Sequence, residues 1–160
     1  MILFDFNSNS NITKWNIIND AVMGGCSKGE FYINPAGCGV FEGQVSLENN
    51  GGFSLLQYKF NTILAVTFSQ VRIKLKGDGK PYQFRIKTNR NDPHSYNALV
   101  QTTGDWQTLE IPFNTLYPAF RGKRLNTENY PGKQLETIGF LIGNKKAEVF
   151  KLEIDYIVLE

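Results

Sequence analysis

Short runs of alternating apolar and polar residues, each bounded by glycine, asparagine, aspartate or proline, recur along almost the whole chain. The alternation puts the apolar side chains of each run on one face, as in a half-buried β-strand, whereas the spacing typical of an amphipathic helix is nearly absent. This pattern predicts an all-β sandwich. The predicted strands are Ile2–Phe6, Glu30–Ile33, Gly39–Val45, Gly52–Phe60, Thr67–Lys76, Tyr82–Thr88, Tyr96–Thr102, Gln107–Pro112, Thr137–Ile142 and Val149–Leu159.

The length of the chain favours a single domain over residues 1–160, because 160 residues suffice for one substantial core and leave little room for a second. One long stretch, Asn114 to Leu135, has no clear periodicity and contains Pro118 and Pro131. We expect a short helical turn and an irregular loop there.

Two neighbouring predicted strands have clear alternation and suggest a hairpin. Val71, Ile73 and Leu75 share one face of the first, and Tyr82, Phe84 and Ile86 share one face of the second. A hairpin in which residue 75 pairs with residue 82, closed by a turn at Gly77-Asp78-Gly79, would bring these faces together. The opposite face would then form a small basic surface of Arg72, Lys74, Gln83, Arg85 and Lys87.

The last predicted strand alternates so that Phe150, Leu152, Ile154, Tyr156 and Val158 share one side, while Ile157 and Leu159 add apolar groups to the other. Asp155 lies on that second side and would approach Asp5 if the first and last strands are neighbours. Two carboxylates with help from backbone carbonyls suit a structural Ca²⁺ ion. The alternative is a pair of solvated acids at the sheet edge.

Charge, chain start and cysteine content limit the partners and the compartment. The net charge of +2 is too small to indicate a nucleic-acid partner. The first residues, Met1–Phe6, do not resemble a signal or transit peptide, and no apolar run reaches the roughly 18 residues of a membrane span. We expect a cytoplasmic protein, or one of the mitochondrial matrix if a leader was removed. Cys26 and Cys38 are expected to be free thiols, because a reducing compartment disfavours a disulfide and two cysteines cannot form a four-ligand zinc site.

The stretch Gly25-Cys26-Ser27-Lys28-Gly29 matches the G-x-S-x-G turn of α/β-hydrolases, and Asp78 and His94 follow Ser27 in the order of their catalytic triad. That turn requires a strand before it and a helix after it, but a predicted strand, Glu30–Ile33, follows here. The chain also lacks HExxH, CxxC and P-loop motifs. We therefore predict that it is not an enzyme.

Carbohydrate binding is a second possible function, because sugar-binding sites combine aromatic platforms with amide and arginine side chains. The candidate residues for such a site are Trp15, Tyr82, Gln83, Arg85, Trp106 and Tyr117. Tyr82 falls on the apolar face of its predicted strand, which counts against it as a platform.

Several blocks of sequence together resemble the complex I intermediate-associated protein 30 family. These blocks are Trp15, Asn19–Ser27, Phe41–Phe53, Lys76–Arg85, Trp106-Gln107, Ile111–Phe113, Phe120–Gly122, Ile138–Ile142 and Leu152–Ile157, and they occur in family order over nearly the whole chain. The resemblance implies a galactose-binding-domain-like jelly-roll β-sandwich and a non-catalytic role. Mitochondrial relatives act as chaperone-like assembly factors of respiratory complex I, whereas this chain resembles a bacterial single-domain member.

We therefore predict a binding module that acts through protein–protein contacts, with partners that include an assembly intermediate of a membrane complex, and with no cofactor beyond the possible calcium ion. A glycan bound on the loops or the concave sheet face is the alternative. Loops and one sheet face usually provide recognition in such folds. The candidate binding residues are Asn19, Asp20, Met23, Gly24, Gly25 and Ser27 in a first loop, Asn50, Gly51 and Gly52 in a second, and Gln83 and Arg85 on the polar sheet face. The same polar side chains could instead only tie the loops together.

Overall fold

The computed structural model describes residues 1–20 and 25–160, and within them the chain forms two antiparallel β-sheets. The strands are β1 Ile2–Asp5, β2 Trp15–Asn19, β3 Lys28–Ile33, β4 Gly39–Val45, β5 Ser54–Leu64, β6 Gln70–Lys76, β7 Pro81–Lys87, β8 Ser95–Gln101, β9 Trp106–Pro112, β10 Tyr117–Phe120, β11 Lys123–Arg124, β12 Gln134–Ile142 and β13 Glu148–Leu159. Short 3₁₀ turns occupy Glu48–Asn50 and Phe113–Thr115. The prediction of an all-β sandwich is confirmed.

The first sheet has six strands in the order β3-β4-β13-β6-β9, with β1 paired to the end of β13. The second has seven strands in the order β11-β10-β8-β7-β12-β5-β2. The apolar faces of the two sheets pack against each other and form one core. An aromatic group at one end of this core includes Trp15 and Tyr58, whose rings stack with centroids 4.7 Å apart. In the described residues, no helix has the length and apolarity of a membrane span.

The predicted hairpin between residues 71–76 and 82–87 is wrong. Strand β6 lies in the six-stranded sheet between β13 and β9, whereas β7 lies in the seven-stranded sheet between β12 and β8. Their apolar faces meet across the core rather than side by side, and alternation alone does not distinguish these arrangements. The predicted basic surface is consequently divided, with Arg72 and Lys74 on one outer face and Gln83, Arg85 and Lys87 on the other.

The segment Gly77–Gly79 therefore connects the two sheets and is not the turn of a hairpin. The carboxylate of Asp78 accepts hydrogen bonds from the Tyr82 hydroxyl at 3.0 Å and from the Lys151 backbone N–H at 2.9 Å. Asp78 thus links the crossing segment to β7 and β13 and has a structural role.

The predicted faces of the last strand are correct only for its first half. The register of β13 against β6 shifts between Ile154 and Tyr156, which is a β-bulge. Beyond it, Ile157 and Leu159 point into the core and are fully buried, while Tyr156 and Val158 are only partly buried. The bulge lets both halves of the strand bury apolar side chains in the same core.

All ten predicted strands are present, Gly39–Val45 with the predicted bounds and the other nine with shifted ends, but β2, β10 and β11 were missed. The last two lie inside the stretch 114–135, which begins with the expected helical turn. Strand β10 contains Pro118, which is disfavoured inside a sheet. It is tolerated because β11 pairs only with Ala119 and Phe120, so Pro118 has a strand neighbour, β8, on one side only.

Candidate functional site

The two glycine-containing loops that the sequence singled out meet at the carboxylate of Asp20, directly after β2. Asp20 is fully buried. It accepts hydrogen bonds from the Ser27 backbone N–H at 3.0 Å, the Ser27 hydroxyl at 2.5 Å, the Gly52 N–H at 2.5 Å and the Phe53 N–H at 3.3 Å. One side chain thus connects the end of β2, the start of β3 and the chain before β5.

These hydrogen bonds keep the Asp20 carboxylate ionised. Burial alone would raise the pKa of Asp20, but the hydrogen bonds from Ser27, Gly52 and Phe53 outweigh it and lower the pKa below its ordinary value of 3.8. Asp20 is therefore a buried carboxylate saturated by donors of the protein itself.

Two of the loop glycines, Gly25 and Gly51, are required by the close approach of Asp20. A Cβ on Gly25 would lie 2.4 Å from the Asp20 carboxyl carbon, and one on Gly51 would lie 2.5 Å from its Oδ2 atom. Both distances are far below van der Waals contact. Packing around Asp20 thus accounts for these glycines without a ligand.

Asn19 and Ser27 are also engaged in hydrogen bonds within the protein. The Asn19 side-chain oxygen accepts a hydrogen bond from the Ser54 hydroxyl at 2.6 Å, and the Ser27 hydroxyl accepts one from the Ser46 N–H at 2.9 Å. Asn50 ends a 3₁₀ turn. Two further candidates, Met23 and Gly24, lie outside the described residues. These observations favour the structural alternative for the described part of the loops, and their predicted contact with a partner stays a prediction.

The residues of the G-x-S-x-G match are not arranged as a hydrolase site. The Ser27 hydroxyl donates to Asp20 instead of a histidine. His94, the only histidine of the chain, packs edge-on against Tyr96. Cys26 is an exposed free thiol and Cys38 a buried one.

Gln83 and Arg85 lie on the outer face of the seven-stranded sheet, where the strand pairing aligns side chains in rows. The central row crosses the sheet from β2 to β10. Its members are Asn16, Gln57, Gly139, Arg85, Asn97 and Tyr117. Gly139 has no side chain, so the row is open beside Arg85.

A groove of about 310 Å³ lies over this face. Of the described residues that line it, five are cationic and none is an aspartate or glutamate. The cations are Lys59, Arg85, Lys87, Arg90 and Arg121. We call this site the basic groove. Buried polar side chains, among them Asn97 and Thr137, complete its floor.

Three cations of the basic groove donate hydrogen bonds from their side chains to neutral acceptors. Arg85 donates from Nε and Nη2 to the Gln83 side-chain oxygen at 3.2 and 3.0 Å. Lys87 donates to the backbone carbonyl of Asp92 at 2.8 Å, and Arg90 donates to that of Phe60 at 2.6 Å. Within residues 1–20 and 25–160, the ion pairs of the protein involve other cations, namely Arg72, Lys74, Lys80 and Lys146.

Partial burial disfavours the charged forms of two cations in the basic groove, Arg85 and Lys87. Burial lowers the pKa of Arg85, against an opposing effect of Tyr117. Burial also lowers the pKa of Lys87; Asp92 opposes this shift, while Arg85 and Lys59 add to it. The protein thus holds like charges close together in a partly desolvated site.

An apolar row borders the basic groove. Strand pairing aligns Ile18, Leu55, Leu141 and Leu99 on the same outer face, with Gln83 between the last two. Leu99 is 69% exposed, which is unusual for a leucine in the middle of a strand. The face therefore combines cations with aliphatic side chains.

The aromatic candidates for a sugar platform do not lie together. Trp15 and Tyr82 are buried in the core, and Trp106 lies on β9 of the other sheet. Tyr117 is on the outer face of the seven-stranded sheet, where the Arg124 guanidinium covers its ring at 4.7 Å. Among the described residues, Phe120 is the only aromatic one that lines the basic groove.

The pair Asp5 and Asp155 is brought to neighbouring strands as expected, since the Phe6 N–H donates to the Asp155 carbonyl at 2.9 Å. The Asp155 carboxylate lies 3.4 Å from the Lys74 ammonium. In the part of the chain that the structure describes, no three metal-ligating side chains cluster. Calcium at this position stays a prediction, with Lys74 as a competitor for the Asp155 carboxylate.

Sequence reasoning named Gln83, Arg85 and Lys87 but missed the remaining cations of the basic groove. Lys59, Arg90 and Arg121 come from a strand and two loops that are distant in sequence. The burial of Asn97 at an outward position of β8 marks the groove in the structure, but no signal in the sequence reveals it.

A family model described as complex I intermediate-associated protein 30 matches residues 4–154. Two curated relatives are mitochondrial proteins of that name. The Drosophila melanogaster protein is 27% identical over 99% of this chain and 62% of its own length. The Mus musculus protein is 22% identical over 98% of this chain and 55% of its own length. The chain thus spans a little over half the length of these relatives.

Solved structures with the same fold include carbohydrate-binding modules. One is a family 11 module from Clostridium thermocellum in complex with a β-1,3-1,4-mixed-linked tetrasaccharide. It superposes with a TM-score of 0.70 at 16% identity, and the match covers 99% of this chain and 93% of the module. A family 4 module superposes with a TM-score of 0.55 at 14% identity, covering 97% and 91%. At these identities the likeness concerns the fold alone, and it confirms the predicted galactose-binding-domain-like jelly roll.

Proposed function

This chain belongs to the complex I intermediate-associated protein 30 family, and on that premise we propose that it is a non-catalytic assembly factor. In this proposal it binds an assembly intermediate of respiratory complex I through protein–protein contacts. The observation that supports the proposal most is the family match over residues 4–154, which includes both sheets of the sandwich. The curated relatives are longer than this chain, which matches 62% and 55% of their lengths. The proposal therefore assigns to this chain a role named for the full-length relatives.

The arrangement of the polar side chains supports a binding role over a catalytic one. Ser27 and Asp78, which the hydrolase triad would have used, are occupied by internal hydrogen bonds, Ser27 with Asp20 and Asp78 with Tyr82 and the Lys151 N–H. In the basic groove, in contrast, the side chains of Arg85, Lys87 and Arg90 donate to neutral oxygens. We propose that the partner docks on this face, in the cytoplasm or in the mitochondrial matrix.

Co-purification from the native host tests this function. The full chain with an affinity tag would be isolated after mild detergent treatment, and the bound proteins would be identified by mass spectrometry. We expect complex I subunits in a particle smaller than the mature complex, and less mature complex in a strain without the protein. Unchanged complex I levels in that strain, with no subunit enriched over a tag-only control, would refute the proposal.

Glycan recognition is the alternative proposal, on the basis of a fold shared with carbohydrate-binding modules. We rank it second because the aromatic side chains are buried or dispersed, and Phe120 alone lines the basic groove. Affinity electrophoresis in gels that contain a mixed-linked β-glucan tests it. Retardation of the wild-type chain that disappears in an Arg85→Gln variant would favour the glycan over the assembly role.

A further inference from the structure

The outer face of the seven-stranded sheet presents two kinds of side chain in parallel rows. On one side of the central row lie Lys59 and Lys87, with Arg90 and Arg121 from the adjoining loops. On the other side lies the apolar row that ends at Leu99. The basic groove runs across the strands between them, over Gly139 and Arg85.

We propose that the basic groove binds an extended acidic segment of a partner protein, with its carboxylates against the cations and its aliphatic side chains on the apolar row. This inference rests on the proposed function and names the chemistry of the partner.

Charge is the first argument for this occupant. Five cations line the groove with no carboxylate among the lining residues, and the cations that form ion pairs in the described residues lie elsewhere. Partial burial of Arg85 and Lys87 costs solvation energy, which Asp92 offsets only in part at Lys87 and which an external anion would offset further. Arginine is the side chain best suited to bidentate contact with a carboxylate, and Arg85 has donors that Gln83 leaves unused.

The apolar row argues for a peptide over other anionic polymers. Leu99, Leu55 and Ile18 offer aliphatic surface, which an acidic polysaccharide or a nucleic acid does not match. Nucleic-acid and sugar sites commonly use exposed aromatic platforms. The single aromatic residue lining the groove, Phe120, is partly occupied by the Arg121 guanidinium, 5.2 Å from its ring centroid.

The width of the sheet sets the length of the bound segment. From β5 to β10 the groove crosses five adjacent strands, β5, β12, β7, β8 and β10. Four spacings of about 4.8 Å give a length of about 19 Å. An extended peptide rises about 3.3 Å per residue, so about six residues would fill the groove.

Fluorescence anisotropy with labelled ten-residue peptides tests the inference on the full chain. The probe peptide alternates glutamate and leucine. A glutamate–serine peptide removes its apolar groups, and a lysine–leucine peptide reverses its charge. We expect the glutamate–leucine peptide to bind most tightly, the glutamate–serine peptide to bind about tenfold more weakly, and the lysine–leucine peptide not to bind. Raising the salt concentration from about 50 to about 500 mM should weaken binding, because the contacts are electrostatic.

Two double variants locate the site. Arg85→Gln with Lys87→Gln removes two groove cations, whereas Arg72→Gln with Lys74→Gln removes the same charge from the outer face of the opposite sheet. We expect at least about a tenfold loss of peptide affinity in the first and less than about a twofold change in the second. A third variant, Leu99→Ser, should bind the glutamate–leucine peptide more weakly than the wild type does, with no change in its affinity for the glutamate–serine peptide. Thermal unfolding of each variant confirms that it is folded.

Several results would overturn the inference. Equal binding of the acidic and basic peptides would do so, as would equal loss of affinity in the two double variants. Tighter binding of polygalacturonate or of single-stranded DNA than of the glutamate–leucine peptide would assign the groove to another class of polymer.

The inference and the proposed function fail in different ways. If complex I subunits co-purify equally with the wild type and with the Arg85→Gln and Lys87→Gln double variant, the assembly role stands and the groove is not its docking site. If the acidic peptide binds in the groove but no complex I subunit co-purifies, the ligand chemistry stands and the assembly role fails.

Discussion

The buried carboxylate of Asp20 accepts a hydrogen bond of 2.5 Å from the hydroxyl of Ser27. The Ser27 hydroxyl in turn accepts one from the Ser46 N–H at 2.9 Å, while Gly52 donates to the same carboxylate. Three segments of chain are thereby fixed around one charge. The loops that most resemble the family pattern thus have a definite structural role in the described residues.

Replacing Asp20 should destabilise the fold strongly. Asp20→Ala leaves buried N–H and hydroxyl donors without a partner, and we expect a loss of about 3 kcal/mol in the free energy of unfolding. Urea denaturation at neutral pH measures it. Asp105→Ala, at an exposed position, serves as the control and should change the free energy by less than about 0.5 kcal/mol. Similar losses in both variants would contradict the role assigned to Asp20.

Acid should remove the stabilisation that Asp20 provides. Because its pKa is lowered in the folded protein, the unfolded chain takes up the proton more readily, so protonation favours unfolding. The contribution is complete above the ordinary pKa of 3.8 and is lost as the pH falls through the folded-state pKa. The stability difference between wild type and Asp20→Asn should therefore be constant from about pH 7 to about pH 5 and shrink below about pH 4. A difference that stays constant at every pH where both proteins fold would refute this.

Gly51→Ala should be destabilising through steric overlap alone. Gly51 has an extended backbone, φ −70° and ψ −168°, which alanine adopts without strain, but its Cβ would lie 2.5 Å from the Asp20 Oδ2 atom. Gly79→Ala is the comparison, since Gly79 has φ +85° and nothing within 4 Å of a Cβ. We expect Gly79→Ala to lower the free energy of unfolding by about 1–2 kcal/mol through backbone strain, and Gly51→Ala to lower it by more. Calorimetric melting of both variants checks the order, and the reverse order would contradict the packing described around Asp20.

The alternation of the sequence was sufficient to predict ten strands and the class of fold, because a period of two identifies the buried face of a strand. It could not predict which strands pair. The apolar faces of β6 and β7 meet across the core, but two strands paired in a hairpin would show the same alternation in sequence. The bulge between Ile154 and Tyr156 was not predicted either, because it changes which residues of one strand face the core and the prediction assumed a constant alternation.

The candidate site was predictable only in fragments. Gln83, Arg85 and Lys87 follow from the alternation of one strand. Their grouping with Lys59 and Arg121 depends on the order of the strands in the sheet, which is set by packing between residues distant in sequence. Gly25 and Gly51 were singled out as candidate binding residues, but the group that approaches them closely is Asp20 of the protein itself.

Removing cations from the basic groove should not destabilise the fold. Arg85 and Lys87 are partly desolvated and hydrogen-bonded to neutral oxygens, so the double replacement Arg85→Gln and Lys87→Gln relieves repulsion without leaving a carboxylate unpaired. We expect the free energy of unfolding to stay within about 0.5 kcal/mol of the wild-type value or to rise. Urea denaturation at low ionic strength measures it. A loss of more than about 2 kcal/mol would instead show that these cations serve the stability of the fold.

Site-specific photo-crosslinking tests most directly the central claim that a partner docks on the basic face of the seven-stranded sheet. A photoreactive residue would replace Leu99, which borders the basic groove and is 69% exposed, or Val149, which is 67% exposed on β13 of the other sheet. In cells of the native host, we predict a crosslink from position 99 to a complex I subunit through an acidic segment of that subunit. The crosslink should disappear when Arg85 and Lys87 are replaced by glutamine, and position 149 should give none. Equal crosslinking from both positions, or a crosslink from position 149 alone, would contradict the account.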